Sequence, residues 1–344
     1  MALQAGADRD AGQDLPQLTS DPGVAAAALL DGRLAGLPTE TVYGLGALAD
    51  NEDAVRRTFA VKGRPADHPL IVHVRDTASA THWSGDWNPH AQALAEEFWP
   101  GPLTVITRRS SRVTDAVTGG QPTVALRSPD HRHFQQVLEE LTRAGVQHPG
   151  VTAPSANRFG AVSPTTAAAV LAELSDRLTP GDVVLDGGTC HVGIESTIVD
   201  CSSEQVRIRR LGAITSDMIS DLLGSPVATS STPATAGRVS GELESHYSPA
   251  ATVELVERDQ LNDRVAELAA QGGAVGVITT VDQTTSDAVV LLAATSDEHY
   301  AQSLYAALRS ADAQHLDHVL AVAPTGSGIA DAVSDRLRRA AASS

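Results

Sequence analysis

Cysteine is almost absent from this 344-residue chain: Cys190 and Cys201 are the two present, and their spacing matches no metal site. A four-cysteine zinc centre and a disulfide-stapled scaffold are therefore excluded, and the pair reads as free thiols. Aromatic residues are also scarce, at 3%, so Ala, Val, Leu and Ile must fill the cores that a 42% hydrophobic content allows. Basic residues are outnumbered, 25 Lys and Arg against 42 Asp and Glu, giving a net charge of −17. That balance disfavours stable nucleic-acid binding, which rests on cations neutralising phosphates, but leaves room for a local cationic pocket. No apolar run is long enough to span a bilayer, and the polar start, MALQAGADRDAGQDLPQ, has no hydrophobic signal core. No membrane association and a cytoplasmic location are expected. Also missing are GxxxxGK[ST], a GxGxxG opening a first helix, HExxH, CxxC and GxSxG. If this is a nucleotide enzyme, it does not use a standard phosphate loop.

What is present divides the chain by texture. Residues 1–20 read as a flexible N-terminal tail. From 21 to 223, helix-like and strand-like segments alternate. Ala-rich 24–30 reads as a helix, and Asn51 or Asp53 could cap another running to about Val61. Asn88-Pro89 and Ser163-Pro164 each pair a cap with a proline at the first helical position. Strand candidates are 34–38, 70–74, 103–107, 123–127, 151–153, 182–186 and 196–200, with 205–209 as a hairpin partner of the last. Residues 224–250 are rich in Ser, Thr, Pro, Ala and Gly and read as a linker or lid. Residues 251–344 return to apolar strands separated by helical patterns, the rhythm of a small α/β domain with a mostly parallel sheet.

Several segments carry candidate chemistry, each beside a plainer reading. Residues 38–46, PTETVYGLG, crowd hydroxyls, a carboxylate, a phenol and two glycines at one strand exit. Glycine there would let a ligand approach the backbone; the plainer reading is a hydroxyl-rich turn. Lys62 and Arg64 lie at a helix end and could share one anion, a point charge beside a planar fork. They could equally complement the helix C-terminus. His73, inside an apolar strand, reads as a hydrogen-bonded structural residue. Ala153-Pro154-Ser155-Ala156-Asn157 follows a strand, where α/β sheets usually bind ligands. Ser163 could place helix N–H groups toward phosphate or simply cap the helix. Arg127 and Arg210 stand at strand ends beside these loops.

In order and spacing, LPTETVYGLGALA, VKGRPADHPLIVHV, WPGPLTVI, TVALRSP, APSAN, VSPTTA, DGG with GIESTIVD, and Arg210-Leu211-Gly212 resemble the threonylcarbamoyl-adenylate synthase family of the YrdC type. The resemblance covers roughly residues 20–215. Residues 240–249, SGELESHYSP, look like the linker of the family's longer, two-domain form, although its usual Pro-Gly-Met start and basic residues are absent.

The resemblance implies an α/β fold: a YrdC-like open twisted sheet with a large concave cavity, plus a small Rossmann-like C-terminal domain. It implies synthesis of threonylcarbamoyl-AMP and pyrophosphate from L-threonine, bicarbonate or CO2, and ATP. A separate tRNA threonylcarbamoyl transferase complex would use the product. Carried over motif by motif, Thr39, His73, Arg127, Ala153 and Ser196 would hold threonine. Lys62, Arg64, Thr123, Ser155, Asn157, Ser163, Arg210, His246 and Tyr247 would hold ATP, with Lys62 and Arg64 acting on the developing phosphate charge. Magnesium would arrive on the ATP phosphates, with no protein metal site. Two other readings stand beside this one: a carbamoyl-phosphate-dependent carbamoyltransferase and a double-stranded RNA-binding module.

Overall fold

The computed structural model describes residues 16–229, 239, 247–281 and 287–342. The first unit is organised by a long mixed sheet. Its strands run side by side in the order Gln17–Thr19, Val183–Leu185, Ala35–Leu37, Gly44–Leu48, Val151–Thr152, Ile71–His73, Thr123–Arg127, Leu103–Arg109, Thr197–Asp200, Arg207–Arg210 and Ala228–Thr229. Neighbours distant in sequence are brought together in this order. In the middle, Ile71–His73 lies antiparallel to Val151–Thr152 and parallel to Thr123–Arg127. The second unit has a four-stranded sheet in the order Thr252–Leu255, His318–Ala321, Val275–Thr280, Val289–Ala294, with every pairing parallel.

Helices form where caps and apolar spacing coincide. Asp21 accepts from the Gly23 amide to cap Pro22–Leu30, and Asn51 accepts from the Ala54 amide to cap Glu52–Lys62. Helix Arg132–Arg143 buries Phe134, Val137, Leu138 and Leu141, one stripe at i, i+3, i+4 and i+7. That stripe packs on Ala25, Ala26, Ala28 and Leu29 of the first helix, whose small side chains make up for the shortage of aromatics. Truncating a fully buried leucine such as Leu138 to alanine would cost about 2–5 kcal/mol.

Among the elements that differ from the sequence reading, three belong to the first unit. Residues 17–19, assigned to the tail, pair in parallel with Val183–Leu185. The helix expected from Ser163-Pro164 instead starts at Ala167, capped by Thr166. Ser163 is fully buried, and its hydroxyl donates to Glu195 at 2.8 Å, so tertiary contact overrides the capping signal. Finally, the 224–250 stretch contains a short strand, Ala228–Thr229, which pairs with Arg207–Ile208 at the edge of the first sheet.

The two units share one apolar cluster. Val42, Val162 and Ile194 of the first pack with Tyr300, Leu304, Tyr305 and Leu308 on helix Asp297–Ala313 of the second. Gly193, at φ +82°, makes this approach possible: a Cβ there would lie 2.3 Å from Gln302 Cα.

Candidate active site

A cavity opens over the centre of the first sheet. It is lined by Thr41, Val42, Arg64, Ile71, His73, Arg127, Ala153, Pro154, Ser155, Glu195, Arg210 and Tyr247.

At one end stand His73 and Arg127, direct cross-strand partners in the parallel register. Arg127 is 4% exposed, and its Nη2 lies 2.8 Å from Oε1 of buried Glu40. The contact is an ion pair without an aligned hydrogen bond: both Glu40 oxygens and Arg127 Nε and Nη2 lack hydrogen-bond partners. A buried guanidinium with unspent donors is a ready receptor for a carboxylate, which it can meet bidentately. Burial, reinforced by the charge on Arg127, lowers the His73 pKa to about 3, so its ring is neutral at working pH. His73 Nδ1 lies 3.3 Å from the Val151 carbonyl, in line with the structural reading of this residue.

The turn beside Arg127 is organised by Thr39. Its hydroxyl donates to the Val42 carbonyl at 2.7 Å and accepts from the Thr41 and Val42 amides at 3.1 Å each. Those bonds occupy it, and Thr41 rather than Thr39 reaches the cavity. Gly44 serves the same geometry. A Cβ there would sit 2.7 Å from the Ala153 Cβ, so the glycine admits the 153–157 loop rather than a ligand.

Lys62 also differs from expectation. It is 2% exposed and absent from the cavity wall. Its ammonium donates to the Ser155 and Asn157 carbonyls, at 2.5 and 2.6 Å. Burial, then the nearby Arg64, lowers its pKa well below the ordinary lysine value. In this arrangement Lys62 clamps the loop that presents Ala153 and Ser155. Asn157 holds the same loop by donating to the Arg158 and Ala161 carbonyls, while its Oδ1 has no partner.

At the other end are Arg64, Arg210, Glu195 and Tyr247. Arg64 donates to the Pro69 carbonyl at 3.0 Å. Arg210 ends strand Arg207–Arg210, where the register against the neighbouring strand shifts between Ile198 and Val199. Its guanidinium donates to the Ser196 carbonyl at 3.0 Å and to the Ser196 hydroxyl at 3.1 Å. That hydroxyl also contacts Thr104 Oγ1 at 2.7 Å, so Ser196 orients Arg210 from behind the wall.

Glu195 accepts from the Ser163 hydroxyl at 2.8 Å, Tyr305 hydroxyl at 2.7 Å and Arg336 Nε at 2.9 Å. Burial alone would push its carboxyl up, but Arg336, then Arg210, with the two hydroxyl donors, hold it down to about 2. Tyr247, at φ +67°, stacks on Tyr305 with ring centroids 5.5 Å apart.

Thr123 lines a neighbouring apolar crevice, with Ile106, Ile198 and Val239, instead of the main cavity. His246 lies outside the described residues. Sequence reasoning missed Tyr305 and Arg336, and it noted Glu40, Thr41 and Glu195 within their segments without giving them a role. Glu195 was visible as a lone carboxylate in the GIEST segment, but nothing linked it to Arg336, 141 residues away.

Among the described residues, no group of three or more His, Cys, Asp and Glu is placed to hold a metal ion, and no helix is long and apolar enough to cross a membrane. Residues 27–212, which contain most of this cavity, match the family described as telomere recombination, the Sua5/YciO/YrdC family. Residues 214–342 match the C-terminal domain of threonylcarbamoyl-AMP synthase. A threonylcarbamoyl-AMP synthase of Pyrococcus abyssi is 36% identical over 92% of this chain and 93% of its own. One of Bacillus subtilis is 35% identical over 94% of each chain. The fold superposes on P. abyssi Sua5 complexed with L-threonine with a TM-score of 0.86 at 32% identity, covering 94% of this chain and 97% of that one. With both segments matched and the sheet and cavity in agreement, the chain belongs to the Sua5/YciO/YrdC family, in its longer two-domain form.

Proposed function

We propose that this protein is an L-threonylcarbamoyladenylate synthase. It joins L-threonine, bicarbonate or CO2, and ATP into threonylcarbamoyl-AMP and pyrophosphate, for threonylcarbamoyladenosine modification of tRNA. The observation that carries this reading is a cavity wall with three arginines: Arg127, buried and fit for a carboxylate, together with Arg64 and Arg210.

Threonine's carboxylate pairs with Arg127, with neutral His73, Thr41 and the Ala153 backbone around it. Its amine nitrogen attacks the carbon of CO2, forming a C–N bond and releasing a proton to water. A carbamate oxygen then attacks the α-phosphorus of ATP. The bond from that phosphorus to the bridging oxygen breaks, and pyrophosphate leaves. Arg64 and Arg210 meet the charge that develops on the phosphates, and Ser155 and Tyr247 border the same space. Magnesium enters as part of Mg-ATP, since it binds readily through substrate phosphates while keeping its waters. Lys62 and Asn157 act by fixing the loop between the two ends, and Thr39, Ser163 and Ser196 act from the layer behind the wall. Holding both reactants over one sheet can supply about 7–11 kcal/mol of the barrier reduction.

The product is an activated intermediate. With a net charge of −17 the chain is poorly suited to holding tRNA, so the transfer belongs to a partner complex. The test is incubation with Mg-ATP, bicarbonate and threonine, with mass spectrometry for the adenylate and a pyrophosphate assay. Product should form with threonine and fall sharply with serine. Turnover that required carbamoyl phosphate instead would overturn the reading.

A further inference from the structure

A carboxylate in the wall of a cavity meant for a polyanion is a liability. Glu195 lines the cavity and is only 7% exposed, so water does little to screen it. Arg210, in the same wall, is within electrostatic reach of it. Left to themselves, the two charges would attract, and the cation would be diverted from the substrate.

Arg336 changes that balance from the second domain. Its side chain is 0% exposed and reaches across the seam between the domains. Nε donates to Glu195 Oε2 at 2.9 Å, Nη1 to Asp335 Oδ2 at 2.7 Å and Nη2 to the Leu211 carbonyl at 2.9 Å. The Leu211 bond grips the backbone immediately after Arg210. The guanidinium also lies 5.5 Å from the centroid of the Tyr247 ring, which borders the same end of the cavity. A buried arginine is costly to desolvate unless its partners are fixed, and here the fork is met on each side.

We propose that Arg336 is a positioning residue for the nucleotide end of the cavity, neutralising Glu195 so that Arg210 stays directed at the anionic substrate. The second domain thus completes the ATP site electrostatically without touching ATP. The inference rests on the reading that ATP occupies this end.

The test compares Arg336→Gln with the double variant Glu195→Gln/Arg336→Gln, using Mg-ATP binding by calorimetry and threonine-dependent pyrophosphate release. Arg336→Gln should raise the KM for ATP about tenfold or more and lower kcat with it, with the KM for threonine within about threefold. Removing the orphaned carboxylate as well should bring the KM for ATP back to within about threefold of wild type. A role limited to packing against Tyr247 would be lost in both variants, so failure of the rescue overturns the proposal, as does an unchanged KM in the single variant. If Arg336→Gln does not fold, the double variant and Arg336→Lys carry the same test. Mg-ATP binding within about threefold of wild type supports the proposal, and a loss of about tenfold in either overturns it. Wild-type protein that makes no adenylate would instead refute the functional reading, a separate outcome.

Discussion

The two ends of the cavity are built in different ways. The Arg127 end comes from neighbouring parts of the first domain: a tight turn supplies Glu40 and Thr41, and central strands supply His73 and Arg127. Its geometry is set by backbone registers. The Arg210 end is a seam. Glu195 and Arg210 come from the first domain, Tyr305 and Arg336 from the second, and Tyr247 from the segment between them. Its geometry is set by how the domains dock. Threonine binding should therefore depend on the sheet, and nucleotide binding on the docking, with the two separable by mutation.

The strongest challenge to this separation is Arg127→Gln. It should lower kcat/KM for threonine by about a hundredfold or more while leaving the Mg-ATP dissociation constant unchanged in calorimetry. An equal loss of nucleotide affinity would mean the ends are not independent.

Lys62→Met probes what they share. It strips partners from the Ser155 and Asn157 carbonyls, and unsatisfied buried groups cost about 1–3 kcal/mol each. Urea unfolding should show a loss of that order, and both substrates should bind more weakly. An unchanged unfolding free energy would remove Lys62 from the clamp role.

Gly193→Ala addresses the seam alone. The added methyl collides with Gln302 Cα and the Ala301 carbonyl, on backbone already at φ +82°. Nucleotide affinity should fall by about tenfold as docking loosens, with threonine affinity retained.

His73 gives no effect at neutral pH and a clear sign on acidification. Its pKa is lowered from 6.5 to about 3, so the unfolded chain binds a proton in that window that the folded protein does not. Stability conferred by the neutral ring is complete above pH 6.5 and declines on acidification towards pH 3, by up to about 1.4 kcal/mol per pH unit. Urea titrations of His73→Gln should show a flatter slope through that range, whereas an unchanged slope would place the titration elsewhere.

How far the sequence could be read follows the same division. Residues 123–127 read as a strand and form one, and the cap-and-proline signal at Asn88-Pro89 starts helix Pro89–Phe98, because local apolar runs and caps act over a few residues. Motif order also placed Arg64, His73, Arg127, Ala153, Ser155, Arg210 and Tyr247 where the cavity gathers them. Local signals failed where distant contacts compete with them. The cap chemistry of Ser163 is spent on Glu195, and the hydroxyl of Thr39 is spent inside its own turn. Strand Gly44–Leu48 lacks a clear period because Gly44 and Gly46 face crowded neighbours: an added Cβ at Gly46 would lie 2.8 Å from Leu37 Cδ1. The Glu195–Arg336 pair spans 141 residues, a separation at which no spacing rule operates.

The seam also bears on modular engineering. A chimera cut within residues 224–250 would look natural, since two folded units flank that stretch. It would nevertheless separate Glu195 from the arginine that balances it and set Gly193 against a foreign helix. Exchanging the second domain would thus transplant half of an electrostatic circuit. A working graft must carry Gly193, Glu195, Tyr305 and Arg336 as one inherited set.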